Sequence, residues 1–441
     1  MSLSERLFRT LSGAQLRDAD AQDTANGLSD QATQAEPTNF LCHVGALSMT
    51  KSADGLFDPK LVLSWLMSHL GAPAALIGLL VPIREAGALL PQLFTAPRIH
   101  RMAQRKWAWA LACLGQGIAA AALVLIGLTL SGWAAGLAAC VAVAFLAVSR
   151  SVASVSYKDI LGKTIAKTRR GAVTGAASSV SSIVVVAFAL LLIFFPVDRY
   201  ALVLGALALA AVLWGLAFVI FSTLREKKDP GEGRDKVLAQ LKLLKEKPML
   251  RRFIYARGLL TGTALAPPYL IVLGAEAGNG TFEALGASVL ASALASFLSS
   301  YVWGRLADRS SKTVLALSGL FGAAALVLGV ALDFMGLSAT SWAIPLSLFL
   351  LMICYHGVRQ GRSTYLVDLA PEDQRTAYTA VANTVIGVIL LGSGVIGAAA
   401  SAIGPHAALL TFAGLAFAGA AVAFRLEEVE KGFTLFAMEK D

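Results

Sequence analysis

Apolar stretches of about twenty residues recur along nearly the whole sequence, each long enough to cross the ~30 Å hydrocarbon core of a bilayer. Twelve such runs can be read, at 38–62, 73–96, 107–130, 133–156, 173–195, 200–223, 253–274, 284–303, 314–333, 342–358, 378–402 and 406–424. Lipid offers no hydrogen-bond partner to the backbone, so runs of this kind must cross as helices. Hydrophobic residues make up 56% of the chain and charged residues 15%, which excludes an ordinary water-soluble globule. The expected fold is an all-α integral membrane protein with twelve transmembrane helices.

Lys and Arg set the expected orientation. Alternate loops, counted from a cytoplasmic N-terminus, hold 4 (98–106), 5 (157–172), 10 (224–252), 3 (304–313) and 3 (359–376) of them, whereas the opposite loops hold only Lys60 and Arg199. Both termini are therefore expected in the cytoplasm, with the chain multi-pass in a plasma membrane such as a bacterial inner membrane. The net charge of +9 is then topology and contact with the lipid surface, and no nucleic-acid partner is read from it. Residues 1–37 are polar after a short amphipathic piece (Leu3 to Leu16) and lack the pattern of a signal peptide, so a cytoplasmic tail is expected. Cys42, Cys113, Cys140 and Cys354 fall inside runs without CxxC spacing, which suggests neither a disulfide framework nor a metal site.

The chain also repeats itself. At an offset of 209, Pro59 aligns with Pro268 and Arg150 with Arg359. Two six-helix pseudo-repeat halves follow, at 38–223 and 253–425, joined by a cytoplasmic linker at 224–252 and flanked by tails at 1–37 and 426–441. Parallel repeats of this kind are common in secondary transporters. Within the linker, Gly233–Lys247 alternates apolar residues with lysines, as a helix lying along the membrane face would.

Between the eighth and ninth runs stands Gly304-Arg-Leu-Ala-Asp308-Arg309-Ser-Ser-Lys312-Thr. This loop resembles the Gly-x-x-x-Asp-Arg-x-x-Lys/Arg signature of the major facilitator superfamily. The segments Asp159…Arg170-Gly171 and Asp368…Arg375 look like the family's turns after helices 4 and 10. The resemblance covers about residues 38–425. It implies the family fold, a cytoplasmic gate built on Gly304, Asp308, Arg309 and Lys312, and a small-molecule substrate. Two departures stand out. The loop after the second run reads Thr95-Ala-Pro97-Arg98, with proline where the motif has its acid. The fifth run holds Gly171-Ala-Val-Thr-Gly175 in place of the Gly-Pro element of similar drug/proton antiporters.

Charges inside the runs are the other candidates, since each costs at least ~2.5 kcal/mol to insert and needs a compensating role. Lys51 and Asp54 lie three apart on one helix face, and either neutralise one another or line the central cavity. Arg84-Glu85 lies about eleven residues into its run, roughly 17 Å deep at 1.5 Å per residue. The two side chains point ~100° apart, so one can meet the first helix while the other faces the pore or the eleventh helix. Arg150, Arg359 and Arg362 read as snorkelling or interhelical latches, or else as substrate ligands. Arg257 reads as snorkelling, and His356 as structural or proton-coupling. Asp159, Arg170, Asp368 and Arg375 are further latch candidates.

No Walker motif, zinc spacing or nucleophile elbow is present, so no enzyme, cofactor or metal is expected. The expected function is secondary active transport of a small solute by alternating access in a monomer. The excess of buried bases tilts the substrate toward an organic anion or zwitterion. A proton is the expected coupling ion, with Glu85 or Asp54 as its carrier. The alternatives are a transporter-shaped membrane sensor or assembly factor, and a lysophospholipid flippase of the same fold.

Overall fold

A computed structural model describes residues 30–166, 169–194, 198–228, 242–279, 282–307, 309–371 and 374–429. The helices are α1 (Asp30–Phe57), α2 (Val62–His69), α3 (Ala74–Leu89), α4 (Gln92–His100), α5 (Lys106–Thr129), α6 (Gly132–Thr164), α7 (Arg170–Phe194) and α8 (Arg199–Ser222). After α9 (Leu243–Glu246) come α10 (Pro248–Leu259), α11 (Gly262–Leu265), α12 (Pro267–Gly274), α13 (Phe282–Ala307), α14 (Ser311–Phe334), α15 (Ala343–Leu369), α16 (Arg375–Ser401) and α17 (Pro405–Phe424). There is no strand among the described residues. A helix lies at each of the twelve expected runs. Nine spans of the described residues are long and apolar enough to cross a membrane by themselves, and the pair α3 and α4, bent by 41°, makes a tenth. The charged α1 does not meet that test, and the apolar described part of α13 is shorter, Leu285–Ser299.

Proline explains the broken spans. Pro59 has no N–H to donate and disfavours helix at Asp58 before it, so α1 stops at Phe57. The freed groups are satisfied on the spot. Asp58 Oδ1 accepts from the Lys60 amide at 2.7 Å, and the Pro59 carbonyl accepts from Ser64 Oγ at 2.7 Å. The second half repeats the device, because α10, α11 and α12 form a single line interrupted near Ala266 and restarted on Pro267-Pro268.

Three sequence expectations change. The boundary expected at 37/38 falls inside α1, whose Glu36 is buried and accepts from Arg169 Nη1 at 2.7 Å. Lys60 does not stand in an exposed loop: it sits in the turn at the α1–α2 break, 6% exposed. Arg359 and Arg362 lie within α15, which runs eleven residues past the expected end of the tenth run. In each case hydropathy drops at the charges while the helix or the span continues through them. Most of the amphipathic segment expected at 233–247 lies outside the described residues, as do residues 1–29, 430–441 and Asp308.

Packing divides the helices into two groups. In one, α5 packs on α6 and α8, and α1 on α7 and α8. In the other, α14 packs on α15 and α17, and α13 on α15. The groups meet along α3–α16, α7–α13, and α12 against α2 and α3. The seams are made close by glycine. A side chain at Gly394 would collide with Pro82, and one at Gly286 would reach Leu192 and Ile193 within 3.0 Å. Large apolar residues such as Leu111, Ile118, Leu125 and Leu128 lie exposed along the outer face of α5, where a bilayer would cover them.

Candidate functional site

Between the two groups lies a cavity of about 1520 Å³. Its polar floor comes from both of the first two spans. Arg84 donates from Nη2 to Asp54 Oδ1 at 3.0 Å and from Nη1 to Glu85 Oε1 at 3.1 Å. Arg150, reaching across from α6, donates from Nη1 to both Asp54 oxygens. Asp54 is thus clamped by two guanidiniums, which keeps three half-buried charges together. Charge-assisted bonds of this kind are about twice as strong as neutral ones. Glu85 also lines the cavity, and Arg84 is its one hydrogen-bonded partner among the described residues.

Lys51 does not pair with Asp54. Its Nζ donates to Ser178 Oγ at 2.5 Å on α7. Lys60, one of the two bases assigned to the opposite loops, instead sets Nζ 3.4 Å from the centre of the Tyr355 ring on α15, a cationic contact between the two groups. Next to Tyr355, His356 lines the cavity, as do Arg359 and Arg362 one and two turns further along α15. Among the described residues neither arginine makes an ion pair or hydrogen bond. Five bases (Lys60, Arg84, Arg150, Arg359, Arg362) therefore line the cavity against three acids (Asp54, Asp58, Glu85).

Serines complete the polar wall: Ser178, Ser181 and Ser182 from α7, and Ser292 and Ser296 from α13. Hydropathy does not single them out, but the i, i+4 spacing of Ser178–Ser182 and Ser292–Ser296 places each pair on one helix face. Tyr355 and Lys60 had no comparable signal. Arg257 is buried off the cavity and donates to Asn383 Oδ1 at 3.3 Å, so it does not snorkel.

The remaining candidates sit at the end of the bundle near the basic loops. Asp159 Oδ2 meets His100 Nδ1 at 2.8 Å and Arg105 Nη1 at 3.3 Å. Arg170 donates to the carbonyls of Ile165 and Gly162, closing the α6–α7 turn on itself. Asp368 ends α15 and Arg375 begins α16, on either side of the short turn between them. Gly304 lies in the last turn of α13, and Arg309 is exposed. Lys312 Nζ reaches Glu428 Oε1 at 3.4 Å, and Ser310 Oγ donates to the same carboxylate at 2.9 Å. The described part of this loop therefore ties to the segment after α17.

At the Phe194–Phe282 end α7 and α13 are in close approach at Gly286, whereas Ser178, Ser182, Arg359 and Gln360 are exposed toward the basic loops.

Comparison with known proteins agrees with this arrangement. The family model described as Major Facilitator Superfamily matches residues 275–439. No curated protein matches the sequence. Among solved structures, the nucleoside transporter NupG is 14% identical with TM-score 0.66, covering 88% of this chain and 99% of its own. A D-xylose-proton symporter is 11% identical with TM-score 0.67, covering 89% and 98%. A bacterial homologue of the iron transporter ferroportin, in an inward-facing state, is 16% identical with TM-score 0.60, covering 89% and 98%. At these identities the likeness is one of fold. Residues 275–439 thus match the family model of the major facilitator superfamily, and the described length is folded like these transporters.

Proposed function

We propose that this protein transports a small organic anion or zwitterion across the membrane by alternating access, with protons as the coupling ion. The observation that carries the reading is the pair Arg359 and Arg362, which make no ion pair or hydrogen bond among the described residues, in a cavity whose lining holds more bases than acids. Both guanidiniums line the cavity, and an anionic substrate would supply a charge-assisted partner for them. Glu85 is the proton carrier in this reading, and Asp54 is structural. The halves at 38–223 and 253–425 rock about the cavity, with Arg359 and Gln360 on the cytoplasmic side, where the basic loops stand.

Uptake and counterflow in proteoliposomes, with matched sets of anionic, zwitterionic, cationic and neutral solutes, test the substrate class. Anions or zwitterions are expected to exchange. Arg359→Ala and Arg362→Ala should each raise the half-saturating concentration by roughly tenfold or more, the size of one charge-assisted hydrogen bond. Exchange of cations alone would overturn the assignment.

Orientation has its own test. In a cysteine-free background, Lys228→Cys should react with an impermeant thiol reagent only from the cytoplasm and Ser131→Cys only from outside. Labelling of both from one side contradicts the topology.

A further inference from the structure

Where α13 and α15 meet lies a smaller pocket of about 530 Å³. Ser299 of α13 and His356, Arg359, Gln360, Arg362 and Ser363 of α15 line it. It adjoins the main cavity, with which it shares His356, Arg359 and Arg362. Its lining side chains are all polar, and no carboxylate stands among them within the described residues. His356, Arg359 and Ser363 follow one another at spacings of three and four along α15, so they share one face of the helix. Arg359 is exposed, and water can solvate it. Two other groups lack that outlet. Ser299 is 2% exposed, and neither Ser299 Oγ nor His356 Nε2 has a hydrogen-bond partner among the described residues. A buried polar group left unpaired carries its full desolvation cost, and both of these belong to residues of the pocket wall.

From this juxtaposition we propose that the pocket holds the phosphate of the transported substrate, a phosphate monoester of a small polyhydroxylated compound. The proposal rests on the reading of the cavity as the transport site and narrows its substrate class. A carboxylate brings one charge and two oxygens in a plane, which the two guanidiniums satisfy by themselves. A phosphate monoester brings a charge of about −1.5 to −2 and three strong acceptor oxygens. Arg359 and Arg362 hold two of these oxygens. Ser299 and His356 turn between staggered side-chain positions to donate to the third. The esterified body extends into the main cavity, whose wall there is made of hydroxyls: Ser292 and Ser296 on α13, Ser181 and Ser182 on α7. The Tyr355 ring in the same wall is already engaged by Lys60 Nζ, which favours a hydroxylated body over an aromatic one.

Equilibrium binding to the purified full-length protein in zwitterionic nanodiscs tests this without requiring transport. The probes are glucose 6-phosphate, phenyl phosphate, inorganic phosphate, gluconate and glucose. Glucose 6-phosphate should bind more tightly than gluconate by roughly tenfold or more, the size of one further charge-assisted hydrogen bond. Glucose should bind more weakly than either anion. Arg359→Ala should weaken both anions. Ser299→Ala should shrink the ratio of glucose 6-phosphate to gluconate affinity severalfold, and its retained gluconate binding reports a folded protein. An unchanged ratio in Ser299→Ala overturns the pocket as the phosphate site. Gluconate binding as tightly as glucose 6-phosphate overturns the phosphate and leaves an organic-anion transporter intact. Inorganic phosphate or phenyl phosphate binding as tightly as glucose 6-phosphate overturns the hydroxylated body. Failure of all three phosphates to bind overturns the proposal outright, and the solute panel in proteoliposomes then decides the anion reading separately. Binding in the expected order without proteoliposome exchange supports the site and counts against the transport reading alone.

Discussion

Asp54→Asn is expected to destabilise the protein by about 3 kcal/mol and to abolish transport, because it leaves two guanidiniums facing each other without their shared carboxylate. The geometry is specific. Arg84 Nη2 lies 3.0 Å from Asp54 Oδ1, and Arg150 holds both oxygens from α6. The acid joins three spans, so its loss leaves like charges in a low-dielectric floor. The effect should be strongly non-additive. Arg150→Met in the Asp54→Asn background removes one of the stranded charges and should recover a large part of the lost stability, although Arg150→Met alone is itself destabilising. Thermal unfolding of the two single variants and the double variant in detergent measures the coupling. Simple addition of the two losses would show that the clamp does not exist in the folded protein.

Glu85→Gln should leave solute exchange intact and remove accumulation driven by a pH gradient, so that the internal-to-external ratio falls to one. Glu85 faces the cavity, and its hydrogen-bonded partner is Arg84, which Asp54 already engages. It can thus release or take a proton without dismantling the floor, whereas Asp54 cannot. The measurement is uptake in proteoliposomes with an imposed pH gradient, set against counterflow without one. Full gradient-driven uptake by the variant would remove Glu85 from coupling and leave His356, which lines the same cavity.

The helices themselves were legible because a span must be apolar wherever lipid touches it, and that constraint is written residue by residue. What hydropathy misplaced were charged positions inside spans. Lys60 reads as the start of a loop because charge and proline coincide there. Its environment, the ring of Tyr355, is supplied by a residue almost three hundred positions away, and local pattern carries no trace of it. Arg359 and Arg362 ended the tenth run for the same reason, yet α15 continues to Leu369. Glu36 was assigned to a tail although Arg169 and the Ala166 amide hold it inside the bundle. The offset that aligned Pro59 with Pro268 pointed to the places where both repeats break their helices, because proline acts on its own backbone and needs no distant partner. Which base meets which acid depends on how six helices are rotated about their axes, and a single sequence does not state that rotation.

The seams at Gly286 and at Gly387 and Gly394 bear on how the two halves would move. At these points the surfaces are nearly smooth: α13 lies directly on Ala189 and Leu192, and α16 on Leu90 and Pro82. Dispersion contacts are worth only ~0.1–0.2 kcal/mol per atom pair and fade continuously with distance. A hinge resting on such surfaces yields by rolling, in many small losses, whereas an ionic lock gives way in a single step. Turnover governed by these seams would respond weakly to salt. It would respond strongly to bulk added along the rolling line, so that a single methyl group at Gly394 acts as a wedge.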